Sequence, residues 1–460
     1  MLCQVSSVKI EEASWILTLD ENRRIIRDGS ILIEDGKISR IAKAEKLRTA
    51  KADVVISGRG RLVAPGMVNC HMHISYAHSM RGLVPDATSR LNYLQRVFQF
   101  QRAMKPEEEY CTSLLAVTEL LKNGCTSFLE PGCVSSLDSV VRAVEKTGIR
   151  AVVGKTFADM ENKLGVEQLE MKEALRQTEK ILRTCGGRRK NVTPWIMPFS
   201  PGCCSDELLH SVSELSERYG AGITTHCAGS RDAADDFRKV HGKGEIEHIG
   251  DAGMLGERTL LAHPIFVSKR EIERIASTKT GVVFCPSSSS RGAGLGLAGK
   301  LPEMLGKGIT VTLGNDSASS SYHLDMIRSM YLISMVYKDA RLDRTILPPE
   351  QLLEMGTVSG AKALGCERET GSLSAGKSAD IVIFNTMTPQ WRAVFNPVSN
   401  MINSADGRSV ETVIIGGKTV VDGGRVISID EEELCTKVQE IGEAIADRLG
   451  IVHESRWPTE

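Results

Sequence analysis

From about Leu62 to about Leu373 the chain repeats one unit, a short apolar run after a glycine or a charge cluster, followed by a longer stretch with helical spacing such as EEEYCTSLLAVTELLKNG. The runs are RLVAPGMVNCHMH, CTSFLEPG, GIRAVVGKTF, NVTPWIMPFS, GAGITTHCAG, RTLLAHPI, GVVFCPSS and GITVTLGNDS, which makes eight. Eight strand-then-helix units favour an α/β fold of the (β/α)8 TIM-like barrel type over an open doubly wound sheet, and such a barrel carries its chemistry at the C-terminal ends of its strands. The polar residues fall there. His71 and His73 close the first run, Glu130 the second, Lys155 the third, His226 the fifth, His263 the sixth and Asp316 the eighth.

Both flanks of this region are β-rich. ILIEDGKISRI alternates apolar and polar residues around Asp35-Gly36, a dipeptide that tolerates the positive φ of a tight hairpin. SADIVIFN and ETVIIGGKTVVDGGRVI repeat the pattern near the other end. Each flank is too short to bury a core alone, so residues 1–61 and 374–430 are expected to share one small β-sandwich beside a barrel over 62–373. Residues 431–460 begin EEELCTKVQEIGEAIADRLG and are expected to pack as a C-terminal helix.

Charge and cysteine usage narrow the function classes. With 57 Lys+Arg against 58 Asp+Glu, the chain has no electrostatic footprint for nucleic acid. Hydrophobic residues at 41% and charged residues at 25% suit a soluble globular protein. Twelve cysteines without a CxxC pair suit reduced thiols, the start has no signal-like pattern, and no run approaches ~18 apolar residues. These features lead to the expectation of a cytoplasmic protein with no membrane span.

His71-x-His73 at a strand end puts both imidazoles on one face, because side chains alternate with a period of two. With His226, His263 and Asp316 they supply the N/O ligand set that a divalent metal accepts: zinc first, with iron, manganese or cobalt as alternatives.

PGMVNCHMH, TTHC, LAHP, VVFCPSS and TLGNDS, in this order and with a bracketing β-sandwich, resemble the metal-dependent amidohydrolase superfamily. The likeness is to its branch of cytosine, guanine and adenosyl-type deaminases and triazine hydrolases. It spans about Val8 to about Ile427, and NDSASSSYHLDM is similar to the branch's run after the last strand's Asp. The resemblance implies a distorted barrel, one or two divalent ions, a small-molecule substrate and hydrolysis at a carbon bonded to nitrogen. A homo-oligomer is the expected assembly.

Two departures shape the functional expectation. In that branch the strand-five histidine opens an HxxE motif whose Glu passes a proton to the substrate's ring nitrogen; here the segment is His226-Cys227-Ala228-Gly229. Downstream, Asp232, Asp235 and Asp236 read as the solvated start of a helix. The second departure is Lys155, which reads either as a solvated cation or as a carboxylated lysine bridging two ions. A lysine here with no HxxE glutamate is similar to phenylurea and thiocarbamate hydrolases. Two arrangements stay open: one metal on His71, His73, His226 and Asp316 with His263 polarising water, or two metals bridged by a Lys155 carbamate. The expected reaction is attack by metal-bound hydroxide, with Asp316 as ligand and proton relay. An acyclic urea, amide or carbamate is the first substrate class, favoured because Gly229 supplies no proton and frees the volume of a side chain. Ring deamination or dechlorination with His323 or Tyr322 standing in for the Glu is the alternative. A catalytically inactive barrel scaffold is the reading of another class.

The remaining residues divide between pocket and framework. His78 and Arg81 in SYAHSMRG, and Tyr322 and His323 after Asp316, are candidate substrate contacts. Glu130 reads as structural, and Cys227 and Cys285 as small core residues. Ser287 to Ser290 read as a loop without a nucleophile elbow, and Gly292 to Gly299 as a flexible loop. His210, His241, His248 and His453 read as surface.

Overall fold

The computed structural model describes residues 7–452, apart from 188, 190 and 293, together with Trp457. Cys3 and His453 therefore lie outside the described residues. The chain opens with β1 (Ser7–Leu17), β2 (Ile25–Glu34), β3 (Lys37–Lys43), β4 (Val54–Ser57) and β5 (Arg61–Pro65). Asp35 and Gly36, at φ 49° and 76°, make the β2–β3 turn with both central residues in the left-handed region, the geometry that matches strand twist in a tight hairpin.

The barrel strands follow: β6 (Met67–Asn69), β7 (Cys125–Leu129), β8 (Arg150–Val153), β9 (Thr156–Phe157), β10 (Val192–Pro194), β11 (Met197–Pro198), β12 (Ile223–His226), β13 (Thr259–Ala262), β14 (Gly281–Phe284) and β15 (Val311–Leu313). Parallel pairing joins β6, β7, β8 and β10 in one arc and β12 to β15 in another. The arcs close into a ring. On one side Ile196 bridges Ile223, and on the other the Cys70 N–H donates to the Leu313 carbonyl at 3.0 Å. Eight strand positions result, as the alternation of runs requires. The third and fourth are each broken in two, β8 from β9 at Gly154-Lys155 and β10 from β11 at Trp195-Ile196.

The interior is packed rather than open. Val68, Leu129, Val152, Trp195, Leu260 and Val283 from different strands share one buried cluster across the ring. The C-terminal end of the barrel strands thus rests on an apolar plug.

After the barrel come β16 (Ile381–Asn385), β17 (Val410–Ile415), β18 (Lys418–Asp422) and β19 (Arg425–Val426). Here the structure refines the expectation. The two termini form one continuous nine-stranded sheet, in which β16 pairs antiparallel with β5 and β4 pairs with β1. The first apolar run is therefore split: Arg61–Pro65 belongs to this sheet, and only after Gly66 does Met67–Asn69 enter the barrel. Ile10, Ile31, Ile33 and Val63 from one end pack with Ile381, Ile383 and Ile414 from the other, so neither end buries its face alone. The C-terminal helix is Glu431–Arg448, capped by Asp430 accepting the Glu433 N–H at 3.1 Å.

Three local readings change. Ser287–Ser290 lie within the helix Pro286–Arg291 rather than a loop, and the glycine-rich run contains the short helix Leu295–Ala298. His248 is 5% exposed and bonds Asp206 at 2.8 Å, so it is a buried residue, whereas His210 and His241 are exposed.

Candidate metal centre and active site

Four imidazoles and one carboxylate meet at the C-terminal end of the barrel. The His71 ring centroid lies 5.1 Å from that of His73, 5.0 Å from His226 and 4.7 Å from His263. Asp316 Oδ1 is 3.8 Å from His71 Nε2 and 3.5 Å from His73 Nε2, and Oδ2 is 3.8 Å from His263 Nε2. These separations exceed a hydrogen bond and match ligand atoms set ~2 Å from a shared ion.

The donor set passes an independent test. His71 is fully buried and neither of its ring nitrogens has a hydrogen-bond partner. Buried polar atoms left unpaired cost ~1–3 kcal/mol each, and an ion is the partner this geometry suits. His226 has the arrangement expected of a ligand. Its Nδ1 lies 3.0 Å from the Phe199 carbonyl oxygen, which only a protonated Nδ1 can bond, and this leaves Nε2 unprotonated for a metal. Burial pushes His71 well below the usual histidine range, assisted by His263, His226 and His73; burial with His73 and His263 holds His226 down at about 3. Both stay neutral, as ligation demands.

Asp316 is held from several sides. Ser288 Oγ donates to Oδ2 at 2.5 Å and the Ser317 N–H to Oδ1 at 2.7 Å. Burial opposes its ionisation, but His263, His73 and these two donors outweigh burial and hold the carboxyl below the ordinary range. The backbone adds precision. Asp316 at φ 63°, His263 at 61° and Ala228 at 48° occupy the left-handed region, which costs a non-glycine residue ~1–3 kcal/mol. The Asp316 N–H donates to His71 O at 2.9 Å and the His263 N–H to Val283 O at 3.1 Å. Gly314 allows the first of these contacts, since a Cβ there would stand 2.7 Å from His71 O.

Several supporting residues were not legible as such. Glu130 is fully buried, accepts the Ile74 N–H through Oε2 at 2.6 Å, and sets Oε1 3.6 Å from His73 Nδ1, facing that imidazole. Asn69 and Asn315 tie the first strand end to the last, through Nδ2 to Oδ1 at 2.6 Å and Asn315 N–H to Asn69 Oδ1 at 3.2 Å. Their signal in the sequence was a fixed offset of two residues from His71 and one from Asp316.

Other candidates are placed elsewhere. Lys155 sits at the β8–β9 break, with Nζ 3.8 Å from Glu167. His78 and Arg81 both bind Glu119, at 2.8 and 2.6 Å, and brace the first loop. Tyr322 lies at the rim under Arg291, 39% exposed. His323 Nε2 bonds Ser287 Oγ at 2.7 Å, and its pKa is lowered to about 4, by burial first. Cys227 is buried as expected. Cys285 is buried too, and its sulfur lies among His71, His263 and Asp316; burial pushes its thiol pKa up. Asp235 and Asp236 pair with Arg238 and Lys239 on an exposed helix face. Gly229 does not open free volume as expected, because a Cβ there would press on His263 Cβ at 3.1 Å.

Comparison with known proteins agrees with this geometry. The model of the amidohydrolase family matches residues 62–420. A 5'-deoxyadenosine deaminase of Methanosarcina acetivorans is 32% identical over 95% of this chain and 98% of its own. A 5-methylthioadenosine/S-adenosylhomocysteine deaminase of Halothermothrix orenii is 31% identical over 94% and 98%. Among solved structures, a zinc-bound adenosine deaminase from Xanthomonas campestris superposes with TM-score 0.86 at 21% identity, covering 96% and 98% of the two chains. Atrazine chlorohydrolase from Arthrobacter aurescens TC1 complexed with zinc gives 0.85 at 21%, covering 95% and 100%. Among the described residues no helix is long and apolar enough to cross a membrane. The chain belongs to the amidohydrolase family and is a metal-dependent hydrolase of carbon–nitrogen bonds.

Proposed function

We propose that the protein deaminates a heteroaromatic amine, with adenine nucleosides modified at the 5' position as the first substrates to test. The observation that carries this reading is full-length similarity above 30% to deaminases of 5'-deoxyadenosine and 5-methylthioadenosine. It takes precedence over the urea, amide and carbamate reading, whose support was the absent HxxE glutamate and the space expected at Gly229. A scaffold role is disfavoured by His71, whose two unpaired ring nitrogens would be a cost without a return.

We assign one ion, zinc, to His71, His73, His226 and Asp316. An ion held by these residues would lower the pKa of a bound water towards ~7. The chain's own groups do the rest. Asp316, fixed by Ser288 and Ser317, takes a proton from the attacking water and delivers it to the leaving nitrogen. His263, adjacent to Asp316, orients that water. The packed plug closes the barrel below the site, so the substrate would enter from the opposite side.

The test is a substrate panel with zinc-loaded protein: 5'-deoxyadenosine, 5'-methylthioadenosine, guanine and melamine, against an aryl urea and an anilide. Ammonia release from a ring amine is the expected result. Amine release from the urea or anilide, with no ammonia from any ring, overturns the reading.

A further inference from the structure

The position three residues after His226 is glycine, and a side chain there would have to push His263 aside, since even a Cβ stands 3.1 Å from His263 Cβ. The wall beside it nevertheless carries a carboxyl group from another element. Glu245 opens the helix Glu245–Asp251, and its Oε2 accepts the Ala228 N–H at 2.9 Å, one residue from Gly229. The side chain is 8% exposed. Among the described residues its Oε1 has no hydrogen-bond partner, and that oxygen is not sealed from solvent.

Three other buried carboxylates spend both oxygens. Glu271 accepts the Ile246 and Ser268 N–H groups, Glu109 those of Ser135 and Ser136, and Asp325 those of Ile327 and Gly407. Glu130 keeps one oxygen free, and that oxygen faces His73. Glu245 is the corresponding case on the His226 side. Arg90, the first residue of the helix Arg90–Ala103, connects it to the reacting centre. Arg90 is exposed by surface area, and its charge acts on Glu245, Asp316 and His263. The Arg90 charge thus acts on both carboxyl groups.

We infer that Glu245 contacts the ring nitrogen of the substrate and hands it a proton during deamination, the task an HxxE glutamate would otherwise perform. This inference rests on the deaminase reading above. In its acid form Glu245 protonates the ring nitrogen while Asp316 takes one proton of the attacking water and the new C–O bond forms at the amine-bearing carbon. Collapse of the adduct returns the hydroxyl proton to Glu245 and sends the Asp316 proton to the leaving nitrogen. The C–N bond breaks, so N=C–NH2 and water give HN–C=O and ammonia. The surroundings favour this role: burial lifts Glu245 to about 7 against the pull of Ala228 N–H and Arg90, so both forms are populated near neutrality. The groups facing it are Arg90, Arg238, Glu271, Cys203 and Cys227, from five different segments.

Glu245→Gln tests the inference, because the amide keeps an oxygen for the Ala228 N–H and loses the transferable proton. In zinc-loaded full-length protein, kcat on 5'-deoxyadenosine, or on whichever panel ring amine the wild type turns over fastest, is expected to fall ~10²–10⁴-fold. KM should stay within about threefold, and zinc content and thermal unfolding should match the wild type. Glu245→Asp should recover part of the loss. A Glu245→Gln kcat within about threefold of wild type overturns the inference and leaves the deaminase reading standing. Loss of zinc or of stability in step with activity would make Glu245 a structural brace and also overturn it. A wild-type protein that releases no ammonia from any adenine nucleoside, purine, pyrimidine or triazine overturns both.

Discussion

Replacing Glu119 with glutamine removes one charge from a brace at the barrel mouth. Glu119 Oε2 binds His78 and Arg81 at 2.8 and 2.6 Å, and Oε1 accepts the Leu324 N–H at 3.0 Å. Burial opposes the carboxylate, but His78 and Arg81 outweigh it and hold the pKa at about 2, against an ordinary 4.5. A gap of about 2.5 units corresponds to ~3 kcal/mol at ~1.4 kcal/mol per unit, and the side chain's residual exposure trims this to ~2 kcal/mol. The folded-state pKa is depressed, so the unfolded chain binds more protons between pH 2 and 4.5. The contribution is complete above pH 4.5 and is lost as pH falls through 2. Glu119→Gln should therefore cost ~2 kcal/mol at pH 7, and the gap to wild type should narrow as pH falls below 4.5. Urea unfolding of both proteins at pH 7, 4 and 3 measures this, and any metal release common to the two cancels in the difference. A gap that stays constant down to pH 3, or one below ~0.5 kcal/mol at pH 7, refutes the reasoning. The variant should also slow turnover. Leu324 follows His323, which bonds Ser287, and the next residue, Ser288, fixes Asp316.

The barrel and its ligands were legible because their signals are periodic and local. An apolar run ending in His or Asp says both "strand" and "this end", and the structure brings His71, His73, His226, His263 and Asp316 together at that end. What sequence spacing could not convey was the direction in which other polar residues point. Lys155 ends an apolar run just as the ligands do, but the strand breaks at Gly154 and turns its ammonium towards Glu167. His78 and Arg81 follow the HxH pair closely, yet Glu119 on a helix forty residues away captures both. Long-range partners of this sort leave no local trace. The same limit hid Glu245: its relation to Ala228 spans 17 residues and depends on where a helix begins. The terminal sheet was recognised as composite, while its true edge at Pro65 was obscured by a continuous apolar stretch that crosses from one sheet into the next.

Asp316→Asn should lower kcat at least ~10²-fold with a smaller change in KM, because the carboxylate moves protons rather than binding substrate; stopped-flow product analysis decides it, and a loss under tenfold would place the relay elsewhere. His71→Ala should abolish stoichiometric zinc, measured by elemental analysis after dialysis, since this imidazole lies closest to the other ligands. Lys155→Ala should keep the wild-type metal content, as expected for a residue paired with Glu167; halved metal content would revive a bridging lysine. Gly229→Glu, which writes an HxxE motif into the chain, should harm the enzyme rather than help it. The new Cβ would stand 3.1 Å from His263 Cβ, and His263 has little freedom to retreat: it holds φ 61° with its N–H bonded to Val283 O at 3.1 Å. Overpacking of this kind costs ~1–3 kcal/mol, and if that cost falls on the placement of His263 the rate drops by roughly ten- to a hundredfold. Gly229→Ala should show part of the same loss, because the clash begins at Cβ. An increase in ring deamination by Gly229→Glu would refute this, since it would mean that the cavity has room for a second carboxyl group and that His263 yields to it.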